Sequence, residues 1–203
     1  MDVIRVEDGL WHWTGAAREN THASAPAGSI YYEGPDALVL IDPVVPDTPH
    51  QERFWKALDS DVSRLDLPPV AITTGVSHDD GAVVFEARYG TVKLQAWRCG
   101  KKSRAQSPPD SPLLPRGVQL FGCGLTNERA IWIEEHRALV TGSFLHGVDG
   151  ASLALADADP ATATSERVSE LSALTRLAPR HVLTCSGRPV VDLGEHALCN
   201  ALS

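Results

Sequence analysis

The sequence predicts a mixed α/β protein whose helices lie outside packed β-sheets. Three observations predict it. Short apolar runs bounded by Gly, Pro and Asp recur along the chain, which is strand patterning. Helical spacing appears only after some of these runs, so strand and helix do not simply alternate. No Gly-rich phosphate loop follows any strand, which removes nucleotide binding of the Rossmann or P-loop kind.

Each element has a local reason. Residues 3–7 and 10–14 read as two strands around Asp8-Gly9, a strong hairpin signal. Ser29–Tyr32 and Ala37–Asp42 are strands on either side of a Gly-Pro-Asp turn, and Pro43 and Pro46 stop the second. "TPHQERFWKALDS" carries a proline near its start and puts Phe54, Trp55 and Leu58 on one helical side. Leu67-Pro68-Pro69 breaks the chain before the strand Val70–Thr73. Gly81–Tyr89 suits a helix closed by Gly90, and Val92–Ala96 is the next strand. Residues 103–116, "SRAQSPPDSPLLPR", are rich in Pro and Ser and read as an irregular surface loop within one domain spanning residues 1–203. Strands follow at Val118–Phe121, Ala130–Glu134 and Ala138–Thr141. Thr162–Leu177 is an amphipathic helix with Val168, Leu171, Leu174 and Leu177 spaced by three, ended by Pro179. His181–Thr184 is a strand and Leu193–Leu202 a final helix. In Trp11-His12-Trp13 the tryptophans share one strand face and the histidine takes the other.

Composition narrows the function classes. At 203 residues the chain can bury a substantial core, and its 43% apolar and 22% charged content is that of an ordinary globular protein. A net charge of −8 argues against nucleic acid or an anionic membrane surface as partner. The basic cluster Lys101-Lys102-Ser103-Arg104 lies beside the Pro/Ser-rich stretch and reads as solvated loop. No apolar run is long enough to span a bilayer, and the first residues have no basic and apolar leader pattern. Cys99, Cys123, Cys185 and Cys199 form no Cys-x-x-Cys pair, which excludes a zinc ribbon and gives the expectation of reduced thiols in a cytoplasmic protein.

One stretch carries chemistry-bearing residues. After the strand Val70–Thr73 comes Gly75-Val76-Ser77-His78-Asp79-Asp80, with one histidine and two carboxylates at a strand-to-helix junction. An aspartate here, Asp79 or Asp80, is expected to cap the following helix.

The segments "GPDALVLIDP", "AITTGVSHDDGAVVFEARYG", "AIWIEEHRALVTGSFLHG" and "HVLTCSGRPV", in that order, resemble the metallo-β-lactamase superfamily from about Ser29 to the C-terminal helix. The resemblance implies an αββα sandwich of two mixed sheets with helices outside. It also implies a family site of one or two metals, often zinc, that activates a water for hydrolysis. The family motif His-x-His-x-Asp-His, placed after Thr74, falls on Gly75, Ser77, Asp79 and Asp80, and only Asp79 matches. Shifted by one residue it falls on Val76, His78, Asp80 and Gly81. The remaining family ligand positions fall on Leu125, Ser143 and Ser186, whereas Asp42, which in the family supports the site, is retained. Leucine and glycine offer no donor, and serine is a poor zinc ligand at neutral pH.

The expectation is therefore a degenerate, metal-free member of this fold, with no metal ligands and no cofactor. It would be a pseudoenzyme, or a protein binding a small molecule or a partner in a cleft lined by Asp42, Ser77, Leu125, Ser143, His146 and Ser186. The alternative is a hydrolase of an ester, thioester or lactone, with His78, Asp79 and Asp80 as catalytic residues. That site would be metal-independent or hold a single Zn, Fe or Mn, with His146 as a further ligand. A serine nucleophile at Ser77, Ser143 or Ser186, with His78 or His146 as base, is a third arrangement. Cys185 is expected to be buried and inert at a strand end. Family resemblance adds a homodimer to the expected partners; the charge keeps nucleic acid and membrane out of them.

Overall fold

The computed structural model describes residues 1–15, 26–75, 78–96, 114–122, 128–156 and 171–203, and for Asp79 the backbone only. Most of the Pro/Ser-rich loop expected at 103–116 lies outside the described residues, as do residues 162–170 of the expected helix; residues 171–175 are helical.

The first sheet has six strands in chain order: β1 (Val3–Glu7), β2 (Leu10–Thr14), β3 (Gly28–Glu33), β4 (Leu38–Ile41), β5 (Pro69–Thr73) and β6 (Val92–Gln95). β1 to β4 pair antiparallel, and β4, β5 and β6 pair parallel. The second sheet runs β12-β9-β8-β7, built from β7 (Val118–Gly122), β8 (Arg129–Ile133), β9 (Ala138–Thr141) and β12 (His181–Thr184). Only β12 and β9 are parallel in it. β10 (Leu145–Gly147) and β11 (Leu153–Leu155) form a separate hairpin that the sequence patterning did not predict.

Side-chain alternation explains the layering. Ile30, Tyr32, Val39, Ile41 and Ile72 point inward from the first sheet and meet Ile131, Ile133, Val140 and Leu183 from the second. The opposite face of the first sheet, with Trp13, Tyr31, Leu38 and Leu40, is covered by Leu58 of helix α1 (Thr48–Leu65) and Phe85 of helix α2 (Asp79–Tyr89). The outer face of the second sheet packs Trp132, Leu139 and Val182 against Leu171, Leu174 and Leu198, the last on helix α3 (Gly194–Ala201). This is the αββα sandwich expected from the sequence.

The helix ends also follow the local chemistry. Pro49 sits in the first turn of α1, where no backbone donor is lost, and α1 runs on to Leu65, five residues beyond the expected stretch. Gly90 closes α2 in a left-handed conformation, its N–H donating to the Glu86 carbonyl at 2.9 Å. The start of α2 differs from expectation: His78 occupies the N-cap without a side-chain cap bond, and Asp79 and Asp80 are the first helical residues. Among the described residues no helix is long and apolar enough to cross a membrane.

Candidate functional site: an aspartate hub at the sandwich rim

Strands β4, β5, β9 and β12 all deliver their C-terminal ends to one rim, because β4 is parallel to β5 and β9 to β12. The residues just past those ends are Asp42, Thr74-Gly75, Gly142-Ser143 and Cys185-Ser186. In open α/β sheets this is where sites form.

Asp42 is the hub. It is fully buried and adopts a left-handed backbone at φ 46°, a conformation that Asp tolerates better than most residues. Its backbone is fixed on both sides: its N–H donates to Ile72 O at 2.9 Å, and its carbonyl accepts from Ser29 Oγ at 2.9 Å. Its carboxylate Oδ1 accepts from the Thr74 N–H at 2.8 Å. Oδ2 accepts from Thr74 Oγ1 at 2.5 Å, from His78 Nδ1 at 2.7 Å and from Cys185 Sγ at 2.8 Å. His78 Nδ1 is also 2.9 Å from Thr74 Oγ1. Since a carboxylate only accepts, Nδ1 carries the imidazole proton and shares it between Asp42 and Thr74. Gly81 makes this approach feasible: a Cβ there would run into the Pro43 carbonyl, so only glycine lets the first turn of α2 lie against the chain leaving β4.

A second carboxylate, Glu128, closes the other side. It precedes β8 and accepts from Ser143 N at 2.8 Å and from the Ser143 hydroxyl. A Cβ on Gly142 would lie 2.6 Å from Glu128 Oε2 and 3.0 Å from Thr74 Oγ1, so the two carboxylate groups flank the same threonine. The two sheets are also stitched here by backbone bonds, Arg129 N to Thr74 O at 3.0 Å and Gly28 N to Cys185 O at 2.9 Å. Beneath the rim the fully buried His12 donates from Nε2 to the Thr184 carbonyl at 2.9 Å. Burial pushes the pKa of His12 below its ordinary value, more than its bond to Thr184 raises it.

The structure separates the residues singled out from the sequence. His78 is turned inward and 1% exposed, whereas Asp80 is exposed and its side chain forms no hydrogen bond among the described residues. Ser143 is held by Glu128, and Ser186 Oγ is buried with no hydrogen-bond partner among the described residues. His146 lies half-buried on β10, paired in register with Ala154, and its ring forms no hydrogen bond among the described residues. Ser77, Leu125 and the side chain of Asp79 lie outside the described residues. Sequence reasoning missed Glu128 and Thr74 as members of the site. For Thr74 the signal was its place one residue after an apolar strand; Glu128 offered none, because its partner Ser143 is fifteen residues away.

At the positions that the family resemblance assigns to metal ligands, the rim offers few open donors. Gly75 has no donor, and Ser143 already donates to a carboxylate. Asp42, His78 and Cys185 are all metal-capable and lie together. Yet Oδ2 stands 2.7 Å from Nδ1 and 2.8 Å from Sγ. Ligand atoms bound tetrahedrally at about 2.0–2.3 Å from zinc would stand roughly 3.3–3.7 Å apart. The spacing is that of hydrogen bonds.

The architecture is that of metallo-β-lactamases. The chain superposes on a metallo-β-lactamase from Pontibacter korlensis with a TM-score of 0.64 at 14% identity, covering 99% of this chain and 98% of that one. A metallo-β-lactamase from Hirschia baltica matches with a TM-score of 0.65 at 17% identity, over 99% of this chain and 95% of the other. The DIM-1 metallo-β-lactamase gives 0.67 at 11% identity, over 99% and 94% of the two chains. At these identities the likeness establishes the fold. No protein-family model and no curated protein sequence matches the chain.

Proposed function

We propose that this chain is a metallo-β-lactamase-fold pseudoenzyme, a scaffold that binds a small molecule or a partner and has no metallohydrolase chemistry. One observation carries the reading: the Asp42 carboxylate takes Thr74 N, Thr74 Oγ1, His78 Nδ1 and Cys185 Sγ as donors at 2.5–2.8 Å, so protein groups fill its acceptor sites. A carboxylate in that state has little left for a cation, and His78 spends its Nδ1 proton on the same group. The free thiols Cys185 and Cys199 suit a reducing, cytoplasmic compartment.

The test is elemental analysis of protein produced with zinc, iron and manganese present. Well under one metal per chain is expected, and thermal stability should be the same before and after treatment with a chelator. Stoichiometric metal that is lost in His78→Ala would overturn the reading. The rival, a hydrolase around His78, Asp79 and Asp80 acting on an ester, thioester or lactone, draws on the enclosed Asp42–His78–Cys185 group. Turnover of generic ester and thioester substrates that disappears in both His78→Ala and Asp79→Ala would establish it.

A further inference from the structure

On the opposite side of the first sheet, α1 and strands β1–β4 line an open cavity of about 490 Å³. One wall is made by strand alternation. Trp11 and Trp13 lie two apart on β2, and Trp11 is directly opposite Tyr31 on β3, the two rings packed edge to face at 5.2 Å. The other wall is one stripe of α1. His50, Arg53, Phe54, Ala57, Leu58 and Asp61 follow the three-and-four spacing that places residues on one helical face. Ala57, between the larger Phe54 and Leu58, supplies the hollow.

The charged groups around the mouth differ in their pairing. Arg64 is paired with Glu33 and Asp61, and Arg88 with Asp59. Asp61 shares the one guanidinium of Arg64 with Glu33. Arg53 lines the cavity and has no carboxylate partner among the described residues, and His50 adjoins it one helical turn earlier. The Trp11 indole N–H likewise has no acceptor among the described residues, whereas Trp13 Nε1 donates to Val44 O at 2.9 Å. An aromatic-walled hollow of this size with an unpaired guanidinium at its edge is the form of a small-molecule site. We propose that this cavity binds an amphipathic carboxylate, its hydrocarbon body between Trp11, Tyr31 and Phe54 and its anionic head on Arg53. The inference stands independently of the rim, since the cavity shares no residue with the Asp42 hub.

The experiment is calorimetric titration of the full chain with octanoate, and with octan-1-ol as its uncharged counterpart. Octanoate is expected to bind saturably at one site, roughly fivefold more tightly than octan-1-ol, the contribution of a partly exposed charge pair. Arg53→Gln should bring the two ligands to equal affinity. Ala57→Phe, a substitution at an exposed helical position whose folding is checked by circular dichroism, should abolish binding of both. Absence of saturable octanoate binding, equal affinity for the two ligands in the unaltered chain, or unchanged binding in Ala57→Phe would each overturn the proposal.

Discussion

Replacing Asp42 by Asn isolates the charge at the centre of the rim. The side chains are isosteric, and Asn tolerates the left-handed backbone at φ 46° as well as Asp does, so neither packing nor backbone conformation is disturbed. The amide oxygen can keep the bond to Thr74 N. The amide nitrogen then faces three groups that all donate to Oδ2: the Thr74 hydroxyl, the His78 Nδ1–H and the Cys185 thiol. Hydroxyl and thiol can rotate to present a lone pair and the imidazole can move its proton to Nε2, but the amide has two N–H donors for three groups, so one bond is lost. Hydrogen bonds to a charged acceptor contribute roughly 1.5–3 kcal/mol each, against about 1 for neutral pairs. With one bond lost and the rest weakened, the expected destabilisation is about 2–4 kcal/mol, read as a lower urea midpoint at unchanged slope. Asp42→Ala should cost more, because it orphans every donor and puts a Cβ-bearing residue without a polar side chain in the left-handed region. The reasoning fails if Asp42→Asn changes stability by less than about 0.5 kcal/mol or raises it. The carboxylate would then be a desolvation burden that its hydrogen bonds only just offset.

Other consequences follow from the same geometry. Glu128→Ala, which frees Ser143 N and its hydroxyl, should cost about 1–3 kcal/mol, or roughly 2–10 °C in melting temperature for a chain of this size. Gly142→Ala should cost a similar amount, since its Cβ would lie 2.6 Å from Glu128 Oε2; combined with Glu128→Ala the loss should be less than the sum, measured as a double-mutant cycle. His12 has a folded-state pKa below 6.5, and the half-buried His136 and buried His181 are lowered by desolvation in the same direction. Between the folded values and 6.5 the unfolded chain binds more protons, so stability should rise with pH across that window and fall as pH drops below 6.5. Urea midpoints at a series of pH values check this, and His12→Gln, which keeps a donor for Thr184 O, should flatten the slope.

The framework was legible because its punctuation is chemical. Asp8-Gly9 turns a hairpin, Pro49 opens α1, Gly90 closes α2, and the alternation in Trp11-His12-Trp13 does place both tryptophans outside and the histidine inside. What was not legible has equally local causes. β10 and β11 are three residues each, too short for a period to show. The end of α1 carries Asp59, Ser60, Asp61 and Ser63, residues that favour turns in isolation, but here Asp61 is bonded to Arg64 and Asp59 to Arg88. The pair His78-Asp80 looks like a single polar cluster in sequence. A helix starting at residue 79 sends the histidine inward and leaves the second aspartate exposed. Asp42 read as a supporting residue through family resemblance alone; only the tertiary structure brings Thr74 and Cys185, 143 positions from Asp42, onto one carboxylate oxygen.

The rim and the outer cavity differ in a way that bears on where this chain keeps binding capacity. At the rim the polar groups satisfy one another: Asp42 with Thr74, His78 and Cys185, and Glu128 with Ser143. Such a closed network is rigid, and a ligand entering it must break charge-assisted bonds before forming its own. In the outer cavity the reverse holds. Aromatic surface is already exposed to solvent, and Arg53 and the Trp11 N–H have no partner among the described residues to give up. Binding there breaks no hydrogen bond or ion pair of these two groups, so a ligand with one charge and a hydrocarbon body meets a smaller penalty than at the rim. Loosening the rim with Asp42→Asn should therefore leave octanoate affinity unchanged while lowering stability. A parallel loss of both would mean that the two sides of the first sheet are coupled through β4, which carries Leu40 on the cavity face and ends at Asp42.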